Sequence, residues 1–358
     1  MKRLKGISLF SSAGIAETYY KDINIDIIVA NELLEKRAKV YQKLYPESKM
    51  INGDIQNPEI KKEIFKSINK DIDLLVATPP CQGLSCLGKN KNQQDYEQDK
   101  RNFLIFDVFE IIDKSNFKYI LIENVPMFLQ MYFPFEGKIL LLKDILNIKY
   151  EEKYNIEIDL LNACDYGIAQ TRPRAIIRMF KKGLEWELPK KEPKITLKEA
   201  IGHLPSLESG EKSNIKWHYS KVHSESNILC MKHTPTGKSA MMNEFYYPKK
   251  ENGDKIKGFH NTYKRMDWDQ PAHARTTNSG NIGSHNNAHP GRLKEDGTYS
   301  DARVLTLLET FIVSSLPEDW NIPEDLTDSF IRQIIGEAIP PLMSKKILQG
   351  IKRGITNG

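Results

Sequence analysis

Short apolar runs alternate with helical patterns up to about residue 180, which predicts an α/β protein with a parallel sheet covered on both faces. From about residue 186 to 300 that alternation stops. Gly, Pro, Asn, Ser and His dominate there, so a second, irregular region is expected. The 358 residues also exceed the usual single-domain size of about 100 to 150. The division read from texture is 1–185, 186–300 and 301–358.

Strand candidates are KGISLF, IDIIVA, IDLLVA, YILIEN and NIEIDLLNA, each a short apolar run. Between them, NELLEKRAKVYQKLY and NFLIFDVFEIIDK space their apolar residues as helices do. After residue 300, DARVLTLLETFIVSSLP and DSFIRQIIGEAIPPLMSKKILQGIKR are again helical, the second interrupted by a proline pair. The stretch from Arg275 to Arg292 is almost entirely turn-forming, and a loop of that length in a compact protein is usually functional or disordered.

No run approaches the roughly 18 apolar residues of a membrane helix. The basic start MKRLKGISLF reads as a strand rather than an export signal. Four scattered cysteines (Cys81, Cys86, Cys164, Cys230) form no disulfide framework, so a reducing cytoplasm is expected. Net charge is +5, and residues 181–300 carry 20 Lys and Arg against 14 Asp and Glu, with all eight histidines. Such a face suits phosphate. Cys230 with His233, and His285 with His289, have offsets seen in zinc fingers, but finger-like hydrophobic spacing is lacking and no metal is expected.

Four stretches carry chemistry. LFSSAGIAE follows the first strand with small residues that let a cofactor approach the backbone, although only Gly14 is glycine. Eighteen positions later Glu32 ends a strand, where an acid suits a ribose hydroxyl pair, and Asp54 in NGDI suits an adenine amino group. Together they point to an adenosine-containing cofactor. TPPCQGLSCLG leaves a strand through two prolines, which would hold the Cys81 thiol at the sheet's carboxyl edge, with Gln82 as a polar neighbour. Glu123 and Asn124 end the next strand at that same edge, where a carboxyl can deliver a proton. Arg172 and Arg174, two apart in an extended segment, would face one way with donors suited to carbonyl or phosphate oxygens.

In this order the stretches resemble the DNA (cytosine-5) methyltransferases of the prokaryotic restriction-modification type. SLFSSAGIAE, VANE, GDI, PPCQGLS, DKRNFLIFDVFEII, ENVP, QTRPR, ARVLTLLETFIVSSLPEDW and IRQIIGEAIPPLMSKKI match family segments in family order. The resemblance implies a Rossmann-like S-adenosylmethionine-dependent domain, a smaller target-recognition domain inserted late, and a final helix returning to the first domain. It implies a cofactor site at Phe10, Ala13, Gly14, Ile15, Glu32, Asp54, Ile55, Pro80 and Leu104, closed by Ala338 and Ile339. Catalysis falls to Cys81, Glu123, Asn124, Arg172 and Arg174, and contact with double-stranded DNA to Gln82, Ser85, Arg275, Thr277 and Arg292. S-adenosylhomocysteine would be the product, a restriction endonuclease a functional companion, and the monomer the working form. Ser12, Ile15 and Glu337 depart from the residues usual in the family. Alternative readings are an RNA cytosine-5 methyltransferase and a DNA-binding protein of this fold without activity. A nicotinamide oxidoreductase would leave the ordered Cys, Glu and Arg stretches unexplained.

Overall fold

The computed structural model describes residues 3–68, 72–80, 100–256, 258 and 260–352. Two compact units share the chain: Met1–Asn162, Pro173–Lys190 and Met343–Gly358 make the first, Ala163–Arg172 and Lys191–Leu342 the second.

The first unit runs β1 (Leu4–Leu9), β2 (Ile25–Glu32), α1 (Glu35–Leu44), β3 (Lys49–Asn52), α2 (Pro58–Ser67), β4 (Ile72–Ala77), α3 (Ile105–Asp113) and β5 (Tyr119–Asn124). A hairpin of β6 (Tyr132–Phe135) and β7 (Lys138–Leu141) leads to α4 (Leu142–Tyr150) and β8 (Tyr154–Asn162). After β9 (Gln170–Thr171), which belongs to the second unit, β10 (Pro173–Lys181) completes a seven-stranded sheet of order β3-β2-β1-β4-β5-β10-β8. Every residue of β4 and β5 is buried, as expected of central strands covered on both faces. Ile7, Leu75, Ile120 and Ile122 pack with Val108 and Ile112 of α3. Each such side chain contributes about 1.5–3 kcal/mol on full burial. Local signals start the helices: Asn57 caps α2 by accepting from the Glu59 amide at 2.9 Å, ahead of Pro58.

One strand departs from the parallel pattern. β10 pairs antiparallel with both β5 and β8. Only residues 163–172 separate β8 from β10, and a parallel return normally needs a crossover of about a dozen residues or more, usually helical.

The second unit contains little regular structure: α5 (Leu197–Ile201), α6 (Glu225–Lys232), β11 (Ala272–His273) beside β9, α7 (Leu307–Val313) and α8 (Asp328–Glu337). The last helix, α9 (Pro341–Gln349), falls in the first unit from Met343 onward, and Trp186 Nε1 there donates to the Ile347 carbonyl at 2.7 Å. Irregular chain leaves carbonyls without a ladder partner, and they must be satisfied when buried. Buried arginines supply donors. Arg265 donates to the carbonyls of Met231, His289, Ser300 and Asp301. Arg303 joins Asp301 at 2.8 Å and Glu309 at 2.7 Å, so charged side chains form part of this core.

Candidate functional site

β1 lies between β2 and β4, where the strand order changes direction, and open sheets bind ligands outside the carboxyl ends of strands at that point. The loop leaving β1 has left-handed backbone at Phe10 (φ 59°), Ser12 (φ 49°) and Gly14 (φ 76°). Ser12 donates its amide to Glu32 Oε2 at 2.9 Å, and Leu34 donates to Oε1 at 2.8 Å. The departure at Ser12 is therefore accommodated by holding a non-glycine residue in a disfavoured conformation. At Gly14 no side chain fits, because a Cβ would lie 2.3 Å from Tyr45 Cε2. The Tyr45 hydroxyl donates to the Gly14 carbonyl at 2.7 Å.

An adenosine-bearing cofactor suits this donor set. A carboxylate offers about four acceptor positions, so Glu32 can be oriented by two amides and still accept from hydroxyls. Asp54 follows β3 and accepts from the Gln56 amide at 2.9 Å. Ile55 and Leu104 are buried apolar residues of the same unit, and Pro80 is partly exposed. Ala13 and Ile15 are buried. Beneath this loop Glu17 is 4 % exposed and meets the Tyr41 hydroxyl at 2.5 Å. Burial raises its carboxyl to about 7, against hydrogen bonds from Tyr41 and Ser8 that lower it.

At the carboxyl ends of β4 and β5, Glu123 is buried and its Oε1 lies 2.7 Å from Arg174 Nε. Asn124 Nδ2 donates to the Pro79 carbonyl at 3.1 Å, tying the end of β5 to the segment just before Cys81. Asn124 Oδ1 accepts from the Val125 amide at 2.8 Å, which sets the side chain's direction. Cys81, Gln82 and Ser85 lie outside the described residues. A separate concavity of about 960 Å³ beside Glu157 and Trp186, at the far end of β10 from Arg174, contains none of the expected site residues.

Arg172 belongs to the second unit, where Nη1 donates to the Arg275 carbonyl at 2.9 Å and Nη2 to the Gly336 carbonyl at 2.7 Å. Arg174 belongs to the first, where it pairs with Glu123. Arg275, expected at the DNA surface, is 1 % exposed. It donates to the carbonyls of His273 and Asn286 at 3.0 Å each, so its guanidinium organises the loop from within, and the expectation of a direct contact is corrected. Arg292 donates to the carbonyls of Gly202 and Leu204 and meets Asp301 at 3.2 Å, over the Trp268 ring. Its head likewise works within the unit. Thr277 is exposed. Ala338 follows α8 as its cap, Ile339 is buried, and Glu337 ends the helix partly exposed.

Sequence reasoning passed over Lys221, His223 and Arg332, and over the buried cluster that His218, Asp301, Arg303 and Glu309 form with His289, a residue it had weighed only by its spacing from His285. One signal for the cluster was legible: TLLE is a capping box, in which Thr306 and Glu309 exchange hydrogen bonds.

A model of the C-5 cytosine-specific DNA methylase family matches residues 4–353. The Type II methyltransferase M1.HgaI of Avibacterium volantium is 49% identical over 351 residues, covering 98% of each chain. M1.HphI of Haemophilus parahaemolyticus, also a Type II methyltransferase, is 25% identical over 98% of this chain and 87% of its own. Among solved structures, a candidate DNA modification methyltransferase encoded within an E. coli prophage superposes with a TM-score of 0.68 at 19% identity, covering 97% of this chain and 98% of that one. That likeness supports the fold.

Proposed function

The chain belongs to the C-5 cytosine-specific DNA methylase family and transfers a methyl group to carbon 5 of cytosine in DNA, and from that membership we propose the part its own residues play. Family and fold imply S-adenosylmethionine, which when bound supplies an electrophilic methyl group and leaves as S-adenosylhomocysteine. Glu32 accepts from its ribose hydroxyls and Asp54 from its adenine amino group. Phe10, Ile55, Pro80 and Leu104 give apolar contact, and the turn at Gly14 lets the backbone come close.

Carbon 5 of cytosine is a poor nucleophile, and covalent catalysis divides the difficulty. The Cys81 thiolate adds to carbon 6 while Glu123 delivers a proton to ring N3, which offsets the developing charge and gives carbon 5 enamine character. Arg174 holds the base carbonyl beside Glu123, and Asn124 fixes the segment that carries Cys81. Once carbon 5 has accepted the methyl group, loss of its proton to water and return of the N3 proton to Glu123 let the C6–S bond break and Cys81 depart as thiolate. The target base must leave the duplex stack to be reached, at a cost of a few kcal/mol.

The observation that supports this reading is the Glu123–Arg174 ion pair next to the Asn124 bond to Pro79, the residue two before Cys81. The basic segment 186–300 carries target recognition on double-stranded DNA, with phosphate contacts positioning the duplex and fewer side chains reading bases. The Type II names of the relatives favour a restriction endonuclease as functional companion, and the proposal is completed by a working monomer that acts on nucleoid DNA in the cytoplasm. No helix among the described residues is long and apolar enough to cross a membrane.

The test is bisulfite sequencing of DNA from a host without cytosine-5 methylation that expresses the protein or its Cys81→Ala variant. Protected cytosines recurring in one short sequence, and absent with the variant, are expected. Folded protein that binds S-adenosylmethionine yet protects no cytosine would overturn the assignment.

A further inference from the structure

We propose that a pocket of the second unit, between Lys221–His223 and the loop 277–281, seats a phosphodiester of the DNA backbone with Lys221 as its contacting cation. This rests on the DNA methyltransferase reading and adds where the duplex backbone is held.

The pocket measures about 340 Å³ and is completed by Ser329 and Arg332 of α8. Its charge is unbalanced. Arg332 Nε lies 2.7 Å and Lys221 Nζ 3.5 Å from the same Asp328 carboxylate, so two cations share one anion. Arg275, just before the loop, makes no ion pair among the described residues, and burial together with the charge of Arg332 lowers its guanidinium to about 9. Unpaired buried charge is costly, and an incoming anion offsets that cost.

Shape and donors agree with an anion. A Cβ at Gly280 would lie 2.9 Å from Lys221 Nζ, so the ammonium rests against bare loop backbone. Buried Asn287 donates from Nδ2 to the carbonyls of Asn278 and Asn281, 3.1 Å each, and fixes the loop while Thr277 and Asn278 stay exposed. His223 is held neutral: burial, then Lys221, lowers it to about 4. Its Nε2 accepts from the Val304 amide at 3.3 Å, which leaves the ring proton on Nδ1 as a donor. Arg332 is 1 % exposed and fixed, whereas the Lys221 side chain is 30% exposed and can turn from Asp328 to a ligand. Asp328, the carboxylate beside the pocket, is already engaged by both cations, so positive charge and donors predominate. Phosphate oxygens only accept, whereas base edges present donors and acceptors together.

The test is fluorescence anisotropy with a labelled mixed-sequence duplex, and with a duplex bearing the methylated site, across a sodium chloride series. Lys221→Gln should reduce the steepness of log K against log salt by about 0.9. It should weaken both duplexes by the same factor, and Lys221→Arg should retain the wild-type slope. Lys66→Gln, which removes one charge from exposed surface on α2 of the first unit, should leave the slope unchanged. An unchanged slope in Lys221→Gln, an equal change in Lys66→Gln, or a loss confined to the methylated site would each overturn the assignment. So would inorganic phosphate that saturates the pocket without altering duplex affinity, since the occupant would then be a free anion. Wild-type protein that binds and methylates no duplex would instead overturn the DNA reading itself.

Discussion

Replacing Glu17 by Gln should remove a pH dependence that the wild-type fold carries beneath its cofactor loop. Glu17 is 4 % exposed, and burial raises its carboxyl from 4.5 to about 7 although Tyr41 and Ser8 hydrogen-bond to it. Between those values the folded chain holds a proton that the unfolded chain has released. Stability therefore falls as pH rises through this window and levels off above it. A rise of roughly 2.5 units at 1.36 kcal/mol each corresponds to about 3 kcal/mol across the window. Glutamine keeps an oxygen that can accept from the Tyr41 hydroxyl at 2.5 Å but has no proton to lose. The variant should thus match the wild type below pH 4.5 and exceed it by about 3 kcal/mol at pH 8. Urea unfolding at a series of pH values, with hydrogen exchange in β1 and β2 reporting on the first unit, measures the difference. Comparing two proteins that differ only here cancels the titration of every other group. Parallel profiles from pH 5 to 8 would refute the reasoning, because they would mean that Glu17 ionises in the fold as readily as in the unfolded chain.

Ser12→Gly should stabilise the first unit by about 1 kcal/mol, the cost of holding a non-glycine residue at φ 49°, and thermal melting would detect it as a rise in Tm; a fall would show that the Ser12 side chain matters more than its backbone. The second unit should be acid-labile. Burial, and then Arg303, lowers buried His289 from 6.5 to about 3, so stability present above 6.5 is lost as pH falls toward 3. Asp301 and Glu309 act in the same direction: burial raises them, but Arg303 helps hold both below the ordinary carboxylate range, and protonating them removes its partners. Tryptophan fluorescence should follow the change, since Trp268 packs edge-on to His289 at 5.1 Å between ring centres, and a signal flat from pH 7 to 3 would contradict it.

The two central strands were legible because strands buried on both faces read as unbroken apolar runs. IDLLVA and YILIEN therefore announced β4 and β5, and with the second the place of Glu123 and Asn124 at its end. Residue order alone also carried the family resemblance, since nine stretches in sequence identify it and the family model spans residues 4–353. The reversal of β10 was implicit in a connection too short for a parallel crossover, but its partners on both sides had to be seen.

Arg172 and Arg275 mark where local pattern stopped. Spacing put Arg172 with Arg174, and turn-rich, basic composition put Arg275 on a surface. Packing took Arg172 to the carbonyls of Arg275 and Gly336, and Arg275 to those of His273 and Asn286. Residue type sets a side chain's charge and donors, and neighbours a few positions away set its backbone state. Whether an arginine faces water or satisfies a buried carbonyl depends on carbonyls contributed from distant parts of the chain, a condition that exists only once those parts have packed.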